Sequence, residues 1–304
     1  MSIGLSRRKM LLVGGGALVA SAALVSERRV EAGTESFSGP NRSVSAISGS
    51  DSDFSSAVGA LFPGLVDDPV FQKIVPLALL VTHQQGPAVR AFSVSWAITT
   101  SAGTFEVPSY FYVSVGSVVT GHILSSLGSA RRDILPSSQS RLVTPFFNWT
   151  PAYYQSNPTP DWKKVLTPTE PGAFLVSELL NATQVKVSLD GVVFSDWKMI
   201  GPDKHTLGLK IRERRNAERD EGLMVYKLMT KGASDSEIIQ ALQTDASAAR
   251  SNRKNLKGRW YQQSRRFHAQ VLLRAFQDAD RPTFTAALTR LKRQRKTVIT
   301  RADV

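Results

Sequence analysis

"TQVKVSLDGVVFSDWKMIGPD", Thr183 to Asp203, decides how the rest of the chain is read. Val185, Val187 and Leu189 alternate with Lys186 and Ser188, the period of two that marks a strand with one covered face. Asp190-Gly191 could close a tight hairpin at that point. The alternative is a single strand that continues through Val192, Val193 and Phe194 and turns at Ser195-Asp196, with Trp197 to Ile200 returning. The unbroken apolar run favours the second. After Gly201-Pro202-Asp203 the alternation stops and helical periodicity begins. The chain is therefore expected to change from sheet to helix near residue 203.

Upstream, from about Pro69, the signals are those of short strands separated by turn clusters. Leu77 to Thr82 is apolar, and Gln84-Gln85-Gly86-Pro87 is a turn. In Val89 to Thr99, Phe92, Val94, Trp96 and Ile98 share one face at period two, and Ser101-Ala102-Gly103 is the next turn. "YFYVSVGSVVTG" alternates less strictly. "SRLVTPFFNWTP" carries Pro145, which points to an edge strand or bulge. Several short strands of this kind predict a β-sandwich of immunoglobulin-like type over residues 57–202. Within it, Phe146 to Gly172 is rich in proline and aromatic residues and reads as a long ordered loop. Its rings either cap an open end of the sandwich or form a platform for carbohydrate or peptide; capping is the preferred reading.

Downstream, residues 203–304 read as helical. Asp203 is placed to cap a helix that runs to about Lys231 and closes at Gly232. Ser234-Asp235-Ser236-Glu237 is a capping box opening a helix to about Arg250. Leu256, Trp260, Phe267, Val271 and Ala275 lie on one face of a third helix. Asp280 can cap a fourth, with Phe284, Leu288 and Leu291 as its stripe.

Charge follows the same division. The net charge of +13 is not evenly spread: residues 1–202 hold 15 Lys/Arg against 14 Asp/Glu, and residues 203–304 hold 23 against 11. A basic segment of this kind suits an anionic surface, whether nucleic acid, lipid or acidic polysaccharide. "KIRERRNAERDE", Lys210 to Glu221, is the most charged stretch, but its acids nearly balance its bases. Arg214 and Glu218 are four apart and can pair. The stretch is therefore expected to be the solvated middle of a helix. The candidates for contact with an anionic surface lie further on: Arg253, Lys254, Lys257, Arg259, Arg265 and Arg266 around Trp260 and Tyr261, and Arg290, Lys292, Arg293, Arg295 and Lys296. Such clusters suit nucleic acid through charge and stacking, or lipid headgroups at about 1 kcal/mol per basic residue.

At the other end, Arg7, Arg8 and Lys9 precede an apolar run from Leu11 to Val25, which is shorter than the roughly 20 residues of a membrane span and suits a signal peptide. Ser6-Arg7-Arg8-Lys9-Met10-Leu11 resembles the bacterial twin-arginine export signal, with Met10 where phenylalanine is usual. Val30-Glu31-Ala32 is a cleavage site of the right kind, and Ala20-Ser21-Ala22 a weaker one. Residues 1–32 are thus expected to be a signal peptide; an uncleaved anchor is the alternative. The resemblance implies export, to the periplasm or beyond, which makes nucleic acid an unsuitable partner. Residues 33–56, rich in serine and glycine, read as a flexible linker.

No chemistry is spelled out. The chain has no cysteine, which excludes disulfides, zinc–thiolate sites and cysteine nucleophiles. His83, His122, His205 and His268 are isolated, and no Gly-x-Ser-x-Gly motif is present. His83 and His205 read as surface residues and His268 as a packing residue. Asp190, Asp196 and Asp203 read as turn and capping residues; their spacing matches no EF-hand loop. No cofactor is implied. "AVRAFSVSW" and "VSLDGVVF" followed by "GPD" make the sheet region similar to exported bacterial β-sandwich proteins of unknown function, a resemblance that implies no activity. The expectation is a non-catalytic envelope binding or assembly module. The alternatives are a protein whose basic helices hold anionic lipid or cell-wall polymer, and a hydrolase-type enzyme built on scattered carboxylates.

Overall fold

The structure, a computed structural model, describes residues 29–30, 34–101, 103–112, 135–165, 182–248, 256–278, 281–293 and 296–302. The strands are β1 (Arg29–Val30), β2 (Thr34–Gly39), β3 (Arg42–Ser48), β4 (Leu79–Gln85), β5 (Val89–Thr100), β6 (Gly103–Tyr112), β7 (Ser140–Val143), β8 (Asn148–Trp149), β9 (Gln184–Phe194), β10 (Lys198–Ile200) and β11 (Thr300–Arg301). The helices are α1 (Phe54–Leu61), α2 (Pro69–Ile74), α3 (Pro151–Gln155), α4 (Trp162–Val165), α5 (Leu207–Thr230), α6 (Asp235–Ser247), α7 (Leu256–Asp278) and α8 (Arg281–Arg293). One sheet has the order β11-β10-β9-β5-β6, with β1 also on β9; the other has the order β2-β3-β4-β7-β8. The protein thus combines two sheets with helices. No described helix is long and apolar enough to cross a membrane.

The chain folds as two compact units that interleave in sequence. The sheet unit comprises residues 1–86, 94–109 and 137–189; the helical unit comprises 87–93, 110–136 and 190–304. The division is therefore not the single boundary expected at residue 203. β5, β6 and β9 each contribute residues to both units.

In the sheet unit, the linker expected over residues 33–56 is instead a β-hairpin. β2 pairs antiparallel with β3 across Pro40-Asn41. Proline fixes φ at the first turn position, and Asn41, at φ 57°, takes the left-handed position that asparagine tolerates. The strand was hidden because serines occupy many of its positions: in β3 the inward set is Arg42, Val44, Ala46 and Ser48, and only two of these are hydrophobic. β4 continues the sheet, pairing Ala46 with Val81 and Ile47 with Leu80, and β7 pairs Leu142 with Leu80. One face of this sheet, with Ile47, Leu80, Leu142 and Trp149, packs against Phe54, Val58, Phe62, Phe71 and Ile74 from the α1–α2 segment. Asp68 starts α2 by accepting from Val70 N (2.8 Å) and Phe71 N (3.0 Å), with Pro69 in the first turn. Its other oxygen takes the Trp162 indole N–H at 2.9 Å. Trp149, Tyr154 and Trp162 belong to this cluster, so these aromatics of the proline-rich stretch act as packing, while Tyr153 is exposed.

In the helical unit, β9 runs unbroken to Phe194 and β10 returns after the Ser195-Asp196 turn, as the apolar run suggested. α5 starts at Leu207, not directly after Asp203, because Asp203 (φ 53°) and Thr206 (φ 60°) are left-handed and interrupt the helical backbone. The Asp203 carboxylate still accepts from Gly208 N at 3.3 Å. Gly232, at φ 78°, closes the helix, and the Ser234–Glu237 capping box opens α6. Val225, Ile238, Leu242, Ala269, Leu272, Ala275, Phe276, Phe284 and Leu288 form the apolar core of these helices. The buried face of α7 differs from the expected one. Leu256 and Phe267 are exposed, and His268, Ala269, Leu272, Ala275 and Phe276 face inward. Asp280 lies outside the described residues. Beyond α8 the chain returns as β11, parallel to β10, with Lys198 opposite Thr300. This two-residue strand is not expected from the sequence.

Candidate functional site

Lys210 to Glu221 forms the first half of α5, and it is not the solvated segment expected. Glu213, Arg214, Glu218 and Glu221 are buried, Glu221 completely. The cause is phase. Ile211, Arg214, Glu218, Glu221 and Val225 follow at spacings of three and four and so share one helix face. The inward stripe is apolar at both ends and charged in the middle. Ion pairs compensate for the lost hydration, as burial of charge requires. Arg215 donates to Glu218 Oε2 at 2.9 Å, an i,i+3 pair. From α7, Arg265 forks between two acids, reaching Glu221 Oε2 at 2.8 Å and Asp245 Oδ2 of α6 at 2.6 Å. Tyr261 donates to Asp220 Oδ2 at 3.0 Å.

The misread aromatics of α7 serve these charges. The Arg214 guanidinium lies 4.8 Å from the Phe267 ring centroid. The Lys210 ammonium lies 3.5 Å from the Tyr110 ring and 4.4 Å from the Trp260 ring. Both are cation–π contacts, so Phe267 and Trp260 are not spare core residues. Burial pushes the Glu221 carboxyl up to about 7, against the pull of Arg265. It pushes Lys210 down to about 8, with the Arg214 charge adding to the effect. Burial, joined by Arg214 and Arg215, pushes His268 down to about 3, so this ring is buried neutral.

α5, α7 and the segment after α8 also bound a cleft of about 400 Å³. Glu213, Asn216 and Asp220 of α5, Lys257, Gly258 and Tyr261 of α7, and Lys296 line it. Thr297 N donates to Asn216 Oδ1 at 3.2 Å, fastening the segment after α8 against α5. The two acids of the cleft already have basic partners: Arg212 Nε is 3.0 Å from Glu213, and the Arg219 guanidinium is 3.0 Å from Asp220. Burial and the Asp220 hydrogen bond push the Tyr261 phenol up to about 12, so it stays a donor. With Lys257 and Lys296 included, four bases stand against two acids in and beside the cleft.

No family model, no curated protein and no solved structure matches this chain. The site is therefore read from its own chemistry.

The residues expected to meet an anionic surface separate into three sets. Lys257, Arg259, Lys292, Arg293 and Lys296 are exposed. Lys257 and Lys296 come together in the cleft; Arg259 stacks on Trp260 at 5.9 Å, and Lys292 lies 4.6 Å from the Tyr226 ring. Arg265 belongs instead to the internal network, and Arg266 is half-buried. Arg253, Lys254 and Arg295, like Arg7 and Arg8 of the signal motif and His122, lie outside the described residues; Arg290 lies on α8.

Of the histidines and aspartates, His83 departs from the expectation, while Asp190, Asp196 and Asp203 hold turn and helix-start amides as expected. His83 is buried, not on the surface, with Nε2 at 2.9 Å from Gln85 O. His205 Nδ1 meets Asp190 Oδ2 at 3.2 Å. Asp190 also accepts from Lys204 N (2.8 Å), His205 N (3.1 Å) and Ser93 Oγ (3.3 Å). It therefore holds the backbone between β10 and α5 in place, a turn role. Asp196 accepts from Lys198 N across its own turn. Among the described residues no three His, Asp or Glu side chains group to hold a metal ion.

Proposed function

We propose that the protein is an exported, non-catalytic binding module whose helical unit holds an anionic polymer or surface of the bacterial envelope. One observation carries the reading. Lys257 and Lys296, drawn from the two separate basic clusters of the sequence, line one cleft beside the acids Glu213 and Asp220, which other bases already engage. A phosphate or carboxylate group entering there meets two ammonium groups, the Tyr261 hydroxyl being engaged by Asp220, and Arg259 of α7 and Lys292 and Arg293 of α8 are exposed as well. Export rests on the resemblance of Ser6 to Leu11 to a twin-arginine signal. The sandwich reading of the sheets is part of the same proposal. The second face of the five-stranded sheet, with Val44, Ala46, Leu79, Val81 and Val143, is also buried, and Trp96 of β5 donates its indole N–H to Leu77 O at 3.2 Å.

Co-sedimentation of the full chain with vesicles of anionic phospholipid, and with teichoic-type polyphosphate polymer, is the test. Binding should be present at low salt and fall as salt rises, because exposed charges are screened. Replacing Lys257 and Lys296 together by alanine should weaken it by about tenfold. No binding to either probe at low salt would overturn the reading. Cell fractionation tests export: Arg7→Lys with Arg8→Lys should leave the protein in the cytoplasm.

A further inference from the structure

A second basic feature of the helical unit shares no residue with the lining of the lysine cleft and has a different composition. The β9–β10 turn is held on three sides: Ser195 N donates to Ala88 O (2.8 Å), Trp197 N to Phe194 O (3.0 Å), and Thr300 N to Trp197 O (3.2 Å). Inside this frame Trp197 has φ 65°. That is the left-handed position which glycine or asparagine takes at small cost and a bulky aromatic does not. A strained residue kept in place by its surroundings is a reason to ask what its side chain does. Two guanidiniums lie against this half-buried indole, Arg90 at 5.6 Å and Arg215 at 5.1 Å from the ring centroid. Arg215 has a carboxylate partner in Glu218.

Arg90 differs. Among the described residues it makes no hydrogen bond or ion pair, and its buried Nε has no acceptor. Its acidity is shifted by burial and by the like charge of Arg215, with no carboxylate acting on it. Arg90 thus brings to the shared ring a positive charge that no acid among the described residues meets. Guanidinium forks match the oxygens of a carboxylate or phosphate in a plane, and the indole supplies a flat wall for whatever carries that group.

We propose that Arg90, Arg215 and Trp197 form an oxyanion-binding site, the indole flanking a carboxylate or phosphate that the two guanidiniums share. The turn's strained backbone keeps the indole beside both arginines in advance of binding.

The test is a titration of the full chain labelled with 15N-tryptophan, read on the indole N–H signals. The Trp197 signal is assigned by its loss in Trp197→Phe. Inorganic phosphate and acetate are added in separate arms at constant ionic strength held with chloride. A saturable shift of the Trp197 signal in either arm is expected, and the arm with the lower midpoint identifies phosphate or carboxylate as the preferred group. Arg90→Gln should raise that midpoint about tenfold. Arg90→Lys keeps the charge without the fork and should raise it less, and it serves as the test variant if Arg90→Gln does not fold. The proposal is overturned if neither anion moves the signal saturably, or if both Arg90 variants titrate like the native chain.

Discussion

The main cluster of the sheet unit is made of Phe54, Val58, Phe62, Phe71, Leu80 and Trp149 and their neighbours, and its polar edges end on specific acceptors. Arg141, buried in that unit, donates to the neutral Asn148 Oδ1 at 2.8 Å. The helical unit has an apolar cluster as well, but one helix also buries Arg214, Glu218 and Glu221 on the stripe that begins with Ile211 and ends with Val225, and Glu213 beside it. The difference teaches that a charged stretch is solvated only if its partners are water. Here the partners are Arg265, Phe267 and Trp260 of α7, supplied from 44 to 53 residues away in sequence. Two stabilities of different kinds should follow, one indifferent to pH and one governed by it.

The largest expected effect is on the sheet unit. Phe71→Ala removes a fully buried ring and should cost roughly 3–5 kcal/mol. Urea unfolding should give the same loss at pH 5 and at pH 8, and a pH-dependent loss would erase the contrast between the units.

The second prediction concerns Glu221. Its folded pKa of about 7 lies above the ordinary 4.5, so between these values the folded state binds more protons than the unfolded one. Stability from this group is full below pH 4.5 and is lost as pH rises through 7. The size is at most about 3 kcal/mol. His268 acts in the opposite sense. Its folded pKa of about 3 lies below 6.5, so its contribution is present above pH 6.5 and lost as pH falls toward 3. Glu221→Gln should remove the first dependence and leave the second, so that hydrogen exchange of the helical amides slows steadily from pH 3 to 6.5 after correction for intrinsic rate. An unchanged pH profile in Glu221→Gln would break the account of the network.

Much of this division was legible in the sequence. The strand Gln184–Phe194, its turn, the Ser234–Glu237 capping box and the stop at Gly232 follow from local chemistry, and local chemistry is written in adjacent residues. What was not legible depends on residues far apart. The β2–β3 hairpin was hidden because serines occupy strand positions. The buried charge of α5 was hidden because its compensating arginine sits on α7. The phase of α7 was misread because aromatic rings that looked like core are turned to cations. Of the site, the basic clusters could be seen, but not which of their members meet: Lys257 and Lys296 converge on a cleft, whereas Arg265 is consumed inside.

Two smaller effects sharpen the comparison. Arg265→Ala leaves Glu221 and Asp245 facing each other without their shared cation. A fully buried pair would lose roughly 3–5 kcal/mol; because the Arg265 side chain is 38% exposed, about 2 kcal/mol is expected. The loss should shrink as pH falls below about 7, where Glu221 becomes protonated. Asp68→Ala, in the sheet unit, removes a helix cap and should cost about 1 kcal/mol at any pH near neutrality. Thermal unfolding of the two variants over the same pH series separates them.

The most direct measurement is the titration of Glu221 itself, followed by the 13C signal of its side-chain carboxyl in the full chain, assigned by its loss in Glu221→Gln. A midpoint near 7 is predicted, because the carboxyl is enclosed and Arg265 only partly offsets the loss of water. A midpoint near the ordinary 4.5 would show that water reaches the middle of α5, and the charged interior of the helical unit would then be a solvated surface.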